Sequence, residues 1–266
     1  MKKVISYLIL GILFMSVASA QEFAFKGGHS HNDYHQKRPL LEALDHNMVS
    51  VEADVFLRGP HLLVGHSEDE LTQSRTLENL YLEPLKHIIE RADETFRPVI
   101  LLVDIKDRGE ETYLALKALL ARYAPILSEY KDGKIIKRQV TVILSGSRPI
   151  ETLRAEQQRY AFIDGRLNGK DCFDSPSLMP LISDDWNRFF SWNGKGNIPG
   201  SEFQKLKRFV DDCHKNNQII RFWGIPDDPA VRTNYWNVLE KAGTDLIGCD
   251  CPACLEEFLN KKNQGK

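Results

Sequence analysis

The chain has 266 residues, of which 42% are hydrophobic and 27% charged, with a formal net charge of −2. These values place it among ordinary globular proteins, able to bury one large core or two small ones. Lysine and arginine are spread among acids along the chain, so the sequence shows no basic footprint for nucleic acid.

The first twenty residues read MKKVISYLILGILFMSVASA, with Lys2 and Lys3 ahead of an apolar run over 4–17 and the small triplet Ala18, Ser19, Ala20. This is the pattern of a secretory signal peptide over residues 1–20. The run is shorter than the ~20 residues of a spanning helix, so no stable membrane insertion is expected. No cysteine follows directly to carry a lipid, and no other long apolar stretch exists. The expected mature chain begins at Gln21 and is exported, to the periplasm or the medium.

Beyond that point, strand-like segments fall at 23–28, 49–55, 98–105, 140–144, 160–164, 180–183, 219–223 and 245–249. Helix-period apolar positions lie between most of them: Leu77, Leu80, Leu85, Ile88, Ile89 and Ala92; Tyr113, Leu114, Leu116, Leu119 and Leu120; Phe203, Leu206, Phe209 and Val210; Trp236, Leu239 and Ala242. Strands that alternate with helices imply a parallel sheet, and the run VILLVDI is apolar throughout, as a strand covered on both faces would be. Eight such units over residues 21–266 predict one α/β domain, a (β/α)8 TIM barrel. A doubly wound sheet competes, but no glycine-rich nucleotide loop follows the first strand. The stretch 168–200 is rich in Gly, Ser, Asn and Pro and reads as long loops. Five cysteines leave at least one unpaired; Cys249, Cys251 and Cys254 share the segment CDCPAC, where a partial disulfide or burial is expected over zinc, since no second ligand pair stands at zinc spacing.

Barrel chemistry resides at the C-terminal ends of strands, and polar groups cluster there. The first strand runs into GGHSHNDYH, the second contains Glu52 and Asp54 in VEADV, Gly65-His66-Ser67 follows a short hairpin, and the third ends in Asp104-Ile105-Lys106. Glu52 and Asp54, two apart, share one face of a strand. Two carboxylates there repel unless a positive charge lies between them. One divalent cation, Mg2+ or Ca2+, resolves this with Asp104 as third ligand; the plainer reading is a salt bridge to Lys106 or Arg38. Phosphoryl transfer needs one group to deprotonate a nucleophile and another to protonate the leaving oxygen, and imidazole suits both. His66 takes one role and His29 the other, with His31 and His35 as rivals for the role of His29. Trp223, ending the seventh strand, packs either on an apolar part of a substrate or in the core. Ser145 and Asp164 also end strands, where pocket lining and turn formation explain them equally.

Taken in order, GGHSHNDY, RPLLEAL, SVEADVFL, LLVGHS, LLVDIK, FIDGRL, RFWGIPDD and AGTDLIGCDCP resemble the glycerophosphodiester phosphodiesterase and phosphatidylinositol-specific phospholipase C-like superfamily, in the branch typified by altered inheritance of mitochondria protein 6. The resemblance spans essentially the whole expected mature chain. It implies a phospholipase C-like TIM barrel with His29 and His66 as acid and base, Glu52, Asp54 and Asp104 as cation ligands, and Lys106 on the phosphate. It also implies a small-molecule or lipid-derived phosphodiester as substrate. The family's Arg-Gly after the first histidine is replaced by Ser30-His31, its Pro-Glu-Asn-Thr element by Lys-Arg-Pro-Leu, and its third acidic ligand is Asp rather than Glu. Arg38 or Lys106 then supplies the missing phosphate charge. The spacing from His29 to Asn32 is similar to the H-x-x-N of sphingomyelinase D-type members, which places Asn32 at the substrate. Two competing readings are a noncatalytic barrel stabilised by an ion and a glycoside hydrolase using Glu52 and Asp54; side chains two apart on one strand suit the latter poorly, because it needs carboxylates roughly 5 to 9 Å apart.

Overall fold

The structure, a computed structural model, describes residues 24–92, 95–168 and 174–264. The expected signal peptide, Phe23 at the start of the first predicted strand, and Cys172 lie outside the described residues. Eight strands form the barrel: β1 (Gly27–Ser30), β2 (Ser50–Arg58), β3 (Val99–Ile105), β4 (Val140–Gly146), β5 (Ala161–Gly165), β6 (Leu181–Asp185), β7 (Ile219–Trp223) and β8 (Leu246–Cys249). Each pairs in parallel with the next, and β8 pairs back onto β1, so the sheet closes. The predicted (β/α)8 barrel is the fold observed.

Parallel neighbours need crossovers, and these carry α1 (Leu41–Asp45), α2 (Glu83–Ala92), α3 (Gly109–Ala121), α4 (Ile150–Ala155), α5 (Trp186–Phe189), α6 (Gly200–Lys215), α7 (Arg232–Ala242) and α8 (Pro252–Gln264). Between β5 and β6 the described residues contain no helix, in keeping with the loop-rich composition there. None of the described helices is long and apolar enough to cross a membrane.

Alternation along each strand sorts the core into two shells. Leu101, Val103 and Ile105 point outward and pack with Leu85, Leu116 and Leu120 from the helices. Ile100, Leu102, Ile143, Phe162, Leu181, Ile219 and Leu246 form a separate buried cluster inside the barrel. That inner filling is apolar toward the N-terminal ends of the strands. Two residues further along β3 the same inward row reaches Asp104, so the apolar plug gives way to charge at the mouth.

Two antiparallel pieces modify the barrel. His61–Val64 pairs with the end of β2, Val55 against Val64, and turns the chain back so that Gly65 N donates to Asp54 O at 3.2 Å. A second sheet joins Glu129–Lys131, Lys134–Ile136 and Gln158–Arg159. The strand assignment above omits it, although Asp132-Gly133, both at positive φ (48° and 82°), is a strong hairpin turn signal. Tyr130 and Ile135 from this sheet pack on the inner cluster and close the N-terminal end.

Behind the mouth, Trp186 of α5 is fully buried, with ring centroids 4.2 Å from Phe190, 5.4 Å from Tyr235 and 5.9 Å from Phe222. Its indole N–H donates to Trp192 O at 3.1 Å. This packing holds Phe222 outward and therefore Arg221 and Trp223 inward. Trp186→Ala is expected to lower unfolding stability by about 3–5 kcal/mol, read as a reduced urea midpoint at unchanged slope.

Candidate active site

β2 aims Glu52 and Asp54 into the barrel mouth, and the β2–β3 register sets Asp104 directly beside Asp54. One oxygen from each of the three carboxylates lies within 4.8 Å of the others. Asp54 is fully buried. Its Oδ2 is crowded by Lys106 Nζ at 2.6 Å, the Tyr34 hydroxyl at 2.7 Å and His66 Nδ1 at 3.2 Å. Its Oδ1 is buried with no hydrogen-bond partner. A buried carboxylate oxygen left without a donor is costly, and a hard cation among three such oxygens would satisfy it. The donor set therefore fits Mg2+ or Ca2+.

The ionisation of the cluster reflects this crowding. Burial pushes the Asp104 carboxyl up to about 6; Lys106, 3.4 Å away, opposes the rise, and the charges of Asp54 and Glu52 add to it. Glu52 is also buried, yet the Arg221 guanidinium at 3.1 Å and the His29 ring at 2.8 Å hold its carboxyl below the ordinary range. Burial would lower the Lys106 ammonium, but Asp104 and Asp54 outweigh it and keep it charged. Tyr34 stays protonated, raised first by burial and then by Asp54.

The histidines divide by accessibility. His29 is fully buried, with Nε2 on Glu52 Oε2 at 2.8 Å and Nδ1 on Ser50 Oγ at 2.8 Å. Burial, then Arg221, pulls it down to about 4. The neutral ring thus donates from Nε2 to Glu52 and accepts at Nδ1 from Ser50, which leaves neither nitrogen for a substrate. His66 has a 58% exposed side chain at the mouth. His31, two residues after His29 and on the same side, contacts Asp250 Oδ1 through Nδ1 at 2.7 Å. Burial would lower it, but the Asp250 hydrogen bond and the charge of Glu52 raise it instead. It lines a cavity of about 110 Å³ with Arg221, Trp223, Ile225, Trp236 and Asp250.

Of the remaining predicted residues, Lys106 joins the cluster and Trp223 lines the His31 cavity. Asn32, at φ 46°, places its Oδ1 2.8 Å from the Tyr34 hydroxyl. Arg38 does not join them: its guanidinium pairs with Asp45 at 2.6 Å, both side chains more than half exposed. The cations beside the acids are Lys106 and Arg221. His35 pairs with Glu70 at 3.2 Å on the surface. Sequence reasoning missed Tyr34 and Arg221. The signal for Arg221 was present, since a charge interrupts the apolar strand IIRFW on the same face as Trp223. Ser145 and Asp164 do face one another, at 2.9 Å, in a network that also brings in Ser183 and Arg166.

Gly146 controls the position of Asp104. At φ 66°, a Cβ on it would fall 2.0 Å from Asp104 Oδ1 and 2.4 Å from Ile105 O. Gly146→Ala is therefore expected to weaken cation binding by at least about tenfold by calorimetry, with a native circular dichroism spectrum. Protonation has a sign of its own. Because Asp104 titrates near 6 in the ion-free fold, the folded state holds a proton that the unfolded state has lost between that value and the ordinary carboxylate range. This carboxyl therefore stabilises the ion-free fold as pH falls through that window, whereas cation affinity falls about tenfold per pH unit below it. Asp104→Asn should abolish both slopes in calorimetric and thermal-melt titrations.

The sequence matches the AIM6-like phosphodiesterase domain over residues 20–97 and 93–164. Altered inheritance of mitochondria protein 6 from Eremothecium gossypii is 30% identical over 268 residues, covering 86% of this chain and 68% of that one. Its homolog from Arthroderma benhamiae is 27% identical over 256 residues, covering 84% and 80%. In fold, the chain is similar to a solved structure described as a candidate glycerophosphodiester phosphodiesterase from Galdieria sulphuraria, with a TM-score of 0.57 and 14% identity over 90% of this chain and 99% of that one. The relatedness that the opening motifs imply thus extends over most of the barrel, and the chain belongs to the family of AIM6-like phosphodiesterase domains.

Proposed function

We propose that this barrel is a divalent-cation-dependent phosphodiesterase, in which Glu52, Asp54 and Asp104 hold the ion and histidines at the mouth move the protons. The carrying observation is the charge balance of the cluster. Three carboxylates face two cations, Lys106 and Arg221, among neutral or accessible histidines. One divalent ion turns the surplus from one negative to one positive charge, which a phosphodiester monoanion neutralises. When bound, the ion supplies charge to the nonbridging phosphate oxygens.

The chain's own residues do the rest. Lys106 adds positive charge at the phosphate. His66 and His31, the two histidines with access to the mouth, take a proton from the nucleophile and return one to the leaving oxygen. The nucleophile is water or a neighbouring hydroxyl of the substrate. His29, the histidine that the family motif points to, positions Glu52 from beneath. Trp223 and Asn32 border the space in which the alcohol portion would lie. The carboxylates offer oxygens within 4.8 Å of one another, closer than the roughly 5 to 9 Å that a glycoside hydrolase keeps between its pair. Residues 1–20 act as the export signal in this reading, and the Cys251–Cys254 disulfide suits an oxidising compartment, with Cys249 buried as a free thiol.

The test is turnover of bis(p-nitrophenyl) phosphate and a panel of glycerophosphodiesters and lysophospholipids by the chain from Gln21. Chelation with EDTA should abolish activity and Mg2+ or Ca2+ should restore it, and Glu52→Gln should raise the cation concentration needed. His66→Ala and His31→Asn should each lower kcat by about 10²–10⁴ with cation affinity unchanged. His29→Asn should weaken cation affinity instead. Folded, cation-loaded protein inactive on every diester would leave the noncatalytic ion-binding barrel as the reading.

A further inference from the structure

The end of the barrel opposite the carboxylates carries a second organised charge. Lys26 lies just before β1, Arg97 two residues before β3, and Lys137 and Arg138 just before β4. All four line one cavity of about 500 Å³, whose remaining walls include Phe25, Val49 and Pro98. The neighbouring hairpin has the sequence KDGKIIKR over residues 131–138 and adds Lys131 and Lys134 at its tip. Lys26, Arg97, Lys131, Lys134 and Lys137 have no acidic side chain within ion-pair distance among the described residues. Arg138 reaches Glu129 only at 3.8 Å, and its Nε is buried without a partner. Dispersed in sequence on a chain of net charge −2, these cations converge in space.

The same face presents apolar surface. Ile136, next to Lys137, is among the few large hydrophobic side chains left exposed. Ile135 beside it packs on the barrel's inner cluster, so the hairpin is braced from behind. Ala24 lines the cavity too, seven residues after the apolar run 4–17 ends. The chain therefore enters the barrel on this face.

We propose that the N-terminal face of the barrel docks on an anionic lipid bilayer, with Lys26, Arg97, Lys137 and the hairpin tip over the headgroups and Ile136 at the interface. A ring of unpaired cations around exposed aliphatic surface matches the paired electrostatic and apolar attractions that hold peripheral proteins on acidic membranes. The carboxylate mouth then faces away from that bilayer. Taken with the phosphodiesterase reading, on which this consequence alone rests, a water-borne diester is the substrate rather than a lipid of the docking membrane.

Co-sedimentation with sucrose-loaded vesicles tests the docking without any turnover. The chain from Gln21 serves, because every strand and helix of the barrel lies beyond it. It should sediment with phosphatidylcholine vesicles containing about one-third phosphatidylglycerol, not with phosphatidylcholine alone, and be released by added salt. Lys26→Glu, Arg97→Glu and Lys137→Glu combined should lower partitioning at least about tenfold. Ile136→Ser should lower it severalfold. An unchanged circular dichroism spectrum and urea midpoint would show that both variants fold. Equal partitioning of the triple variant and the parent, equal binding to both vesicle types, or binding to heparin or RNA without binding to anionic vesicles would each overturn the proposal.

Discussion

Mutual repulsion among Glu52, Asp54 and Asp104 is the constraint that the rest of the site answers. Their oxygens converge within 4.8 Å in a mouth where Asp54 and Glu52 are buried. Burial in this poorly solvated space raises the Asp104 carboxyl, and the charges of Asp54 and Glu52 add to the rise. Each surrounding group offsets part of that repulsion: Lys106 and Arg221 by charge, Tyr34 and His29 by hydrogen bonds from neutral donors. None of them reaches Asp54 Oδ1. Partial compensation suits a site whose last counter-charge is exchangeable.

Barrel geometry makes such a cluster possible at modest cost elsewhere. The inward row of β3 runs from Ile100 and Leu102 to Asp104, and that of β5 from Phe162 to Asp164, so these acids lie toward the mouth while the apolar plug below them supplies stability. The Asp54–Asp104 register then fixes carboxylates from two strands side by side. Gly146 leaves room for Asp104 at the end of β4, which makes a backbone position part of the site's design. His29 sits one layer beneath the acids and takes the tautomer that lets it donate to Glu52, a role that burial rather than residue type assigns to it.

Much of this was legible in the sequence because period and punctuation carry it. Seven of the eight predicted strands lie within three residues of observed boundaries at each end, and E-A-D followed by D-I-K placed the acids and Lys106 on the right faces. The first strand was harder: 23–28 was read where Gly27–Ser30 is found, since two glycines blur the apolar signal. What failed depended on the third dimension. Arg38 looked available because sequence does not show that Asp45, seven residues on, captures it. His29 and His31 have identical chemistry and alternation, and only depth within the barrel separates them. The antiparallel sheet was passed over because its strands are only two or three residues long, although its Asp-Gly turn stood in plain view.

Net charge was similarly uninformative about the field. A value of −2 suggests a nearly neutral particle, yet a cluster of carboxylates gathers at one end of the barrel and a cluster of lysines and arginines at the other. The sorting follows from topology: residues just before parallel strands all emerge at one end and residues just after them at the other. Cations before β1, β3 and β4 must therefore meet, as must acids near the ends of β2 and β3. Because the apolar plug separates the two ends, the charges of one end do not pair with those of the other. A chain that looks evenly mixed in one dimension thereby carries, through the parallel barrel alone, a carboxylate cluster at its mouth and a basic cluster at its floor.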